Sequence, residues 1–412
     1  MISKPRGRRR FLKEGATLAG LAVGAIRSAS GQTVGSEIPA APPRDNRAYG
    51  ERSRFDNSVR MGRAGPSDGR VVTPLQDSQG IITPSSLHFI VGDDGTAPTP
   101  DIDPRQHRFL IDGLVDRPLI FTMEELKRLP SVSRIHFIEC EGNSRNSLWP
   151  KNSVTVQEIH GLTSCSEWTG VPLSLLLREA GLQKGASWIV LEGGGKNHLT
   201  RSLPLGKAMD DVLVAYGQNG EPLRPQNGYP LRLVVPGWDG NLHVKWLRRI
   251  KVVDQPYMTI FDRSSLRPDG KARWFQFGLG PKSVITFPSG GQRLPGRGFY
   301  EITGLAWSGG GAIRRVEVSA DGGRTWKDAQ LQEPVQRMAH ARFRLDWNWD
   351  GEEAVLQSRC TDERGDRQPS LAELSEIWGV SMDFWRSGFR ITRFNPIFPW
   401  KVTREGSVHN AI

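Results

Sequence analysis

The pattern of apolar residues changes at Pro281, and that change commits the chain to a fold of two unlike parts. Beyond it, short runs alternate apolar and polar residues at 300–307, 313–319, 341–347 and 354–360. Between them stand Gly309-Gly310-Gly311, Asp321-Gly322-Gly323 and Asp350-Gly351. A period of two marks half-buried strands, and turn residues at this spacing predict an immunoglobulin-like β-sandwich over 281–408. Ahead of Pro281 helix and strand signals mix. A strand is expected at 108–114, followed by the capping box Thr122-x-x-Glu125 and a short helix stopped by Pro130. A strand at 134–139 delivers Cys140, and a helix over 171–180 has Pro172 at its start and Gly181 just past its end. Strands follow at 188–192, 212–216 and 231–235, the last two joined through the tight turn Asn219-Gly220. This mixture predicts an α+β domain over 81–275, and 412 residues leave room for both domains. Residues 31–80, rich in Pro, Gly, Arg and Ser, read as an N-terminal arm that wraps a domain or stays partly disordered.

The first thirty residues carry more than half of the formal charge of +11. Arg8-Arg9-Arg10-Phe11-Leu12-Lys13 has the form of a twin-arginine export signal. An apolar stretch of small residues runs from Ala16 to Ile26, and Ser28-Ala29-Ser30 offers a cleavage site. The stretch falls short of the ~20 residues that a spanning helix needs, so no membrane span is expected after signal removal. The expected location is the periplasm. The remaining mild basicity suits anionic substrates or an acidic partner. No basic face interleaved with aromatics appears, which argues against nucleic acid.

Cys140, Cys165 and Cys360 are too few for a disulfide framework, and no C-x-x-C is present for haem attachment, zinc or iron–sulfur. Cys140 stands at a strand end with Gly142 behind it, where a bulky ligand has room to approach; thiolate suits soft or high-valent metals. Cys165 and Cys360 read as core residues.

Ile135-His136-Phe137-Ile138-Glu139-Cys140-Glu141-Gly142-Asn143 resembles the cysteine motif of the sulfite oxidase family. Further segments match in order: Gly161 to Leu173, Asn227-Gly228-Tyr229-Pro230 through Gly237, and Asn241-Leu242-His243-Val244-Lys245-Trp246. The β half is similar to the family's dimerisation domain at Gly304 to Gly311 and Ser319 to Trp326. Thr83-Pro84-Ser85-Ser86-Leu87-His88-Phe89 and Asp101-Ile102-Asp103-Pro104 fit the sulfane dehydrogenase branch, and the likeness runs from about Ile82 to Trp400. The resemblance implies molybdenum held by a single molybdopterin dithiolene, oxo groups and the Cys140 thiolate. It also implies cofactor contacts at His88, Arg232, His243 and Lys245. Arg and Lys would give charge-assisted hydrogen bonds to the pterin phosphate. Arg145, five residues past Cys140, is placed to draw an oxyanion toward the metal.

The implied activity is oxidation of a sulfur substrate, sulfite or protein-bound sulfane sulfur, by oxygen-atom transfer. Electrons would leave to a cytochrome c, with a homodimer and a sulfur carrier protein as further associations. The pattern also breaks. Where the family carries an active-site tyrosine the segment is shortened and Arg263 falls in its place; Ser86 and Trp378 replace two substrate arginines; and the glycine run at Gly195 lacks an Asp. Arg263 can hold an anion bidentately but cannot pass a proton as a phenol does. Two other readings are a sulfoxide reductase of the same family, which the β domain argues against, and a cofactor-free assembly protein. Changing Arg9 together with Arg8 or Arg10 should leave uncleaved precursor in the cytoplasm of an expressing cell. Normal periplasmic accumulation on fractionation would end the export reading.

Overall fold

The computed structural model describes residues 50, 52–53, 55–62, 70–91, 99–148, 155–195, 198–259, 275, 277–387 and 392–412. The elements below all belong to the compact unit Ser58–Ile412.

Two five-stranded sheets build the first half. One runs Glu221–Pro222, Leu213–Gln218, Thr163–Pro172, Val132–Glu139, with Arg232–Val234 also paired to Leu213–Gln218. The other runs Leu119–Phe121, Phe109–Gly113, Leu247–Val253, Trp188–Gly193, Thr200–Pro204. Only Phe109–Gly113 and Leu247–Val253 pair in parallel there, which closes the domain by setting its last strand beside its first. Short helices cover the sheets. Met123–Arg128 starts on the expected capping box, with Glu125 N donating to Thr122 Oγ1 at 3.2 Å and Thr122 N donating back to Glu125 Oε2 at 2.7 Å. Leu173, Leu176 and Leu177 of Leu173–Ala180 pack on Ile189, Leu191, Ile250 and Val252.

Two expectations need correction. The helix predicted over 171–180 begins two residues later, because Val171 and Pro172 finish a strand and pair with Val214 and Leu213. A β-branched residue on a ladder beats the helix-start signal of the proline. Asn219-Gly220 does form a two-residue turn, with φ of +52° and +75°. It joins Leu213–Gln218 to the two-residue strand Glu221–Pro222, and Arg232–Val234 is reached only after a further turn at Pro225–Asn227.

The second half is a sandwich of a four-stranded sheet (Lys282–Phe287, Gly298–Trp307, Ala341–Trp349, Gln330–Leu331) on a five-stranded one (Lys327–Asp328, Ile313–Ser319, Ala354–Asp362, Pro399–Val402, Val408–Asn410). Together the halves give the α+β-then-sandwich architecture expected from the sequence. Between the strands Ala354–Asp362 and Pro399–Val402 the chain inserts helices Leu371–Trp378 and Met382–Ser387, which the strand pattern did not announce. Leu374, Trp385 and Phe394 of this insert form a small core with Leu148 from the first half.

The hydrophobic core does not stop at Pro281. Phe137, Val156, Ile159 and Cys165 of the first half share one cluster with Trp307, Ile302, Phe343 and Trp400 of the sandwich. Cys165 and Cys360 are core residues, and burial pushes the Cys165 thiol up to about 12. The described end of the N-terminal arm stitches both halves: Thr73 Oγ1 lies 2.6 Å from Ser164 Oγ, Gln76 Nε2 donates to Ser289 Oγ at 2.9 Å, and Arg342 Nε donates to Gly80 O at 2.9 Å. No helix among the described residues is long and apolar enough to cross a membrane.

Backbone meets backbone where the halves join. A Cβ on Gly309 would stand 2.0 Å from Gly237 O and 2.7 Å from Leu279 O, a space only hydrogen can occupy. Gly309→Ala should destabilise by about 1–3 kcal/mol or more, as overpacking does. Gly296→Ala, with nothing within 4 Å, should stay within about 0.5 kcal/mol of the parent. Thermal unfolding of the two variants checks the pair, and equal melting temperatures would remove the junction argument.

Candidate active site

Cys140 follows directly on the strand Val132–Glu139, whose pairing ends at Glu139 opposite Thr163. Its N–H donates to Leu162 O at 2.9 Å and its carbonyl accepts from Asn143 N at 2.9 Å, so the backbone is held on both sides. The half-buried thiol lies against the cluster of Phe89, Ile138, Trp168 and Val234. The turn Gly240–Leu242 presses on the same point, because a Cβ at Gly240 would stand 2.7 Å from Glu139 O and 3.2 Å from Cys140 Cα. That contact brings Asn241 to the site, with an amide buried near Glu141 yet without a well-formed hydrogen bond.

Beside the cysteine lies a cluster rich in cations. His88 and Arg232 are buried and flank the Trp168 indole, with the His88 ring edge-on at 5.7 Å and the guanidinium at 5.1 Å. Arg232 Nη1 donates to Asn227 O at 2.7 Å and Nη2 to His243 O at 3.1 Å, while its Nε is buried without a partner. Burial alone pulls Arg232 down to about 9, with no carboxylate among the described residues to offset it. Burial, helped by the charges of Arg232 and Lys245, holds His88 at about 3, so its ring is neutral at pH 7. Its Nδ1 donates to Phe89 O at 2.9 Å, which leaves Nε2, buried and without a partner, as an acceptor. Asn227 Oδ1 is a second buried acceptor without a partner.

Lys245 reaches the same place. Its Nζ donates to Val91 O at 3.0 Å and lies 4.5 Å over the Trp246 ring, and Lys245 is bridged to Arg232 across the chain. Gly228, at φ +114°, leaves room for both cations: a Cβ there would meet Arg232 Cβ at 3.0 Å and Lys245 Cβ at 3.3 Å. His243 is placed differently. Its Nδ1 accepts from Val235 N at 3.2 Å and its Nε2 donates to Trp238 O at 3.2 Å, so the ring braces the turn and only its carbonyl reaches Arg232. Arg145 opens the turn Arg145–Leu148, half-buried, with no hydrogen bond or ion pair among the described residues. Arg263 lies outside the described residues. Ser86 is exposed, and Trp378 packs on Trp385 at 5.6 Å.

A second, acidic wall was not read from the sequence. Asp239 is fully buried and takes Arg393 bidentately, Nε donating to Oδ1 at 3.1 Å and Nη2 to Oδ2 at 2.6 Å, while Arg393 N donates to Glu141 O at 2.7 Å. Burial, then the neighbouring Asp239, raises Glu141 to about 7. Asp239 and Arg393 lie 154 positions apart, so no local pattern pairs them.

Taken together, these groups define the chemistry of a fitting ligand. Arg232 Nε and Lys245 offer positive charge to a phosphate. His88 Nε2 and Asn227 Oδ1 offer acceptors to ring N–H groups. Cys140 offers a thiolate. A molybdenum bound to a phosphorylated pterin fits this donor set. The comparisons agree. Residues 96–261 match the oxidoreductase molybdopterin binding domain, and residues 275–392 the Mo-co oxidoreductase dimerisation domain. The crystal structure of the sulfane dehydrogenase SoxCD from Paracoccus pantotrophus superposes with a TM-score of 0.84 at 37% identity, covering 93% of this chain and 97% of that one. Nitrate reductase [NADH] of Solanum lycopersicum is 33% identical over 344 residues, and that of Volvox carteri 34% over 304. These alignments take in 73% and 66% of this chain but only 37% and 34% of the relatives' own length.

Fold and site therefore define a molybdopterin oxidoreductase with a dimerisation domain. The chain belongs to the sulfite oxidase family, and its cofactor is molybdenum with molybdopterin. This sets aside the cofactor-free reading. Arg232→Met should weaken cofactor retention by about tenfold to a hundredfold, the size of one lost charge-assisted contact of about 1.5–3 kcal/mol. Molybdenum per chain after extended dialysis measures it. Wild-type retention would show that the cradle does not hold the pterin.

Proposed function

We propose that this oxidoreductase oxidises a sulfur substrate, sulfite or protein-bound sulfane sulfur, in the periplasm. The observation that carries the reading is Cys140 at a strand end beside a buried cationic cradle, in a chain 37% identical to a sulfane dehydrogenase over 97% of that chain. Once bound, the cofactor supplies oxygen-atom transfer coupled to two-electron redox chemistry. The protein supplies the rest. Cys140 ligates the metal, with its backbone held from Leu162 and Asn143. Arg232 and Lys245 anchor the phosphate, and His88 and Asn227 orient the ring system. Arg145, and Arg263 on its shortened segment, attract the anionic sulfur group. Glu141, next to Cys140, is held above the usual carboxylate range by burial and by Asp239. Electrons leave singly to a cytochrome c, the sandwich pairs two copies of the chain, and the twin-arginine segment directs export.

The test is a substrate panel on purified protein. It should contain about one molybdenum per chain and reduce ferricytochrome c with sulfite or with sulfane sulfur on a carrier protein. Cys140→Ser should abolish this while remaining folded. Reduction of nitrate or of a sulfoxide by reduced viologen, with no oxidation of any sulfur substrate, would overturn the proposal.

A further inference from the structure

The residue before Cys140 is Glu139, a carboxylate buried where two domains meet. Both of its oxygens are engaged. Oε1 accepts from Lys282 Nζ at 2.6 Å and from Asn143 Nδ2 at 2.9 Å, and Oε2 accepts from Trp307 Nε1 at 2.7 Å. Lys282 and Trp307 belong to paired strands of the sandwich, opposite one another in register. Asn143 belongs to the turn that carries Cys140. Its Oδ1 accepts from Leu162 N at 3.1 Å, and Leu162 O accepts from Cys140 N at 2.9 Å. A closed path of hydrogen bonds thus runs from Glu139 through Asn143 and Leu162 back to Cys140. The sandwich holds that path by its only acid.

The side chains of Lys282 and Glu139 are 3% and 5% exposed. Water cannot replace either partner at that depth, so the pair is made once and in one geometry. The ammonium also lies within electrostatic reach of the Cys140 sulfur and 5.9 Å over the Trp307 ring. We propose that Lys282 and Trp307 are positioning residues for Cys140: through Glu139 they set the direction of the thiolate toward the metal, so that the dimerisation domain completes the metal site. The inference rests on Cys140 as a metal ligand. It adds that the ligand's geometry is imposed from the other domain.

The experiment uses the full chain loaded with its cofactor. Molybdenum X-ray absorption counts the sulfur neighbours, and the thiolate-to-molybdenum absorption band reports the orientation of the thiolate; both are normalised to bound metal. Wild type should show one sulfur more than Cys140→Ser; equal counts would overturn the ligand reading itself. Given that difference, Lys282→Met and Trp307→Phe should shift the band and lengthen or disorder the third sulfur while metal stays bound. Lys282→Arg, which keeps the charge, should restore much of the wild-type band. Wild-type spectra in both Lys282→Met and Trp307→Phe would overturn the inference. If Lys282→Met fails to fold, Trp307→Phe decides alone, since it removes one N–H and leaves the charges paired.

Discussion

A charge buried at a domain boundary has to be neutralised from the far side, and here that charge is Glu139. Desolvating a carboxylate costs several kcal/mol, which only a partner in good geometry offsets. Lys282 supplies the countercharge, and Trp307 and Asn143 fill the remaining lone pairs. Removing one member of such a pair typically costs about 3–5 kcal/mol, far more than any exposed ion pair on this surface contributes. Sheet, sandwich and cysteine turn are consequently fixed relative to one another. Trp307 of the shared core touches both members of the pair, and both are buried.

The cationic cradle shows the opposite arrangement. Arg232 is just as deeply buried, yet carbonyls rather than carboxylates receive it. A buried guanidinium with a bare Nε, beside a neutral histidine whose Nε2 has no donor, is an unstable combination by itself. Structures retain such groups where a ligand completes them, and a phosphorylated pterin would complete both kinds at once. Trp168 adds the third requirement. Its indole lies between the two groups, and its N–H is spent on His136 O at 3.1 Å, so it offers a face and no competing donor.

Much of this was legible in the sequence, because periodicity and turn residues report local physics. The strand before Cys140, the capping box at Thr122, the sandwich strands and the Asn219-Gly220 turn all follow from short windows. The family motifs pointed to His88, Arg232, His243 and Lys245, though the structure shows the His243 ring occupied by Val235 and Trp238. What escaped was set by long-range contact. Asp239 meets Arg393 from the other domain, Glu139 meets Lys282, and Asn227 shows its open acceptor only once Ser85 and Gln218 have taken its amide. The helices Leu371–Trp378 and Met382–Ser387 were missed because they interrupt an otherwise regular strand rhythm. The helix start at Leu173 was misplaced because a ladder partner, Val214, outweighed a local proline signal.

The walls of the site come from three cores, and this bears on what the sandwich is for. The strand of Cys140 reaches into the core shared with the sandwich through Phe137, while the thiol itself touches the cluster around Trp168. The cysteine turn is tied to the helical insert, through Leu148 in its small core and through Arg393 on Asp239 and Glu141 O. A module that served only to join two copies would need an outer face and nothing more. This one sends a lysine and a tryptophan inward to Glu139, next to Cys140, and an arginine to Asp239, just before the turn pressed against it. Each acid is buried, so each would repel its surroundings if its cation withdrew. The second domain is therefore bound to the first by charges buried beside Cys140 and beside the turn pressed against it.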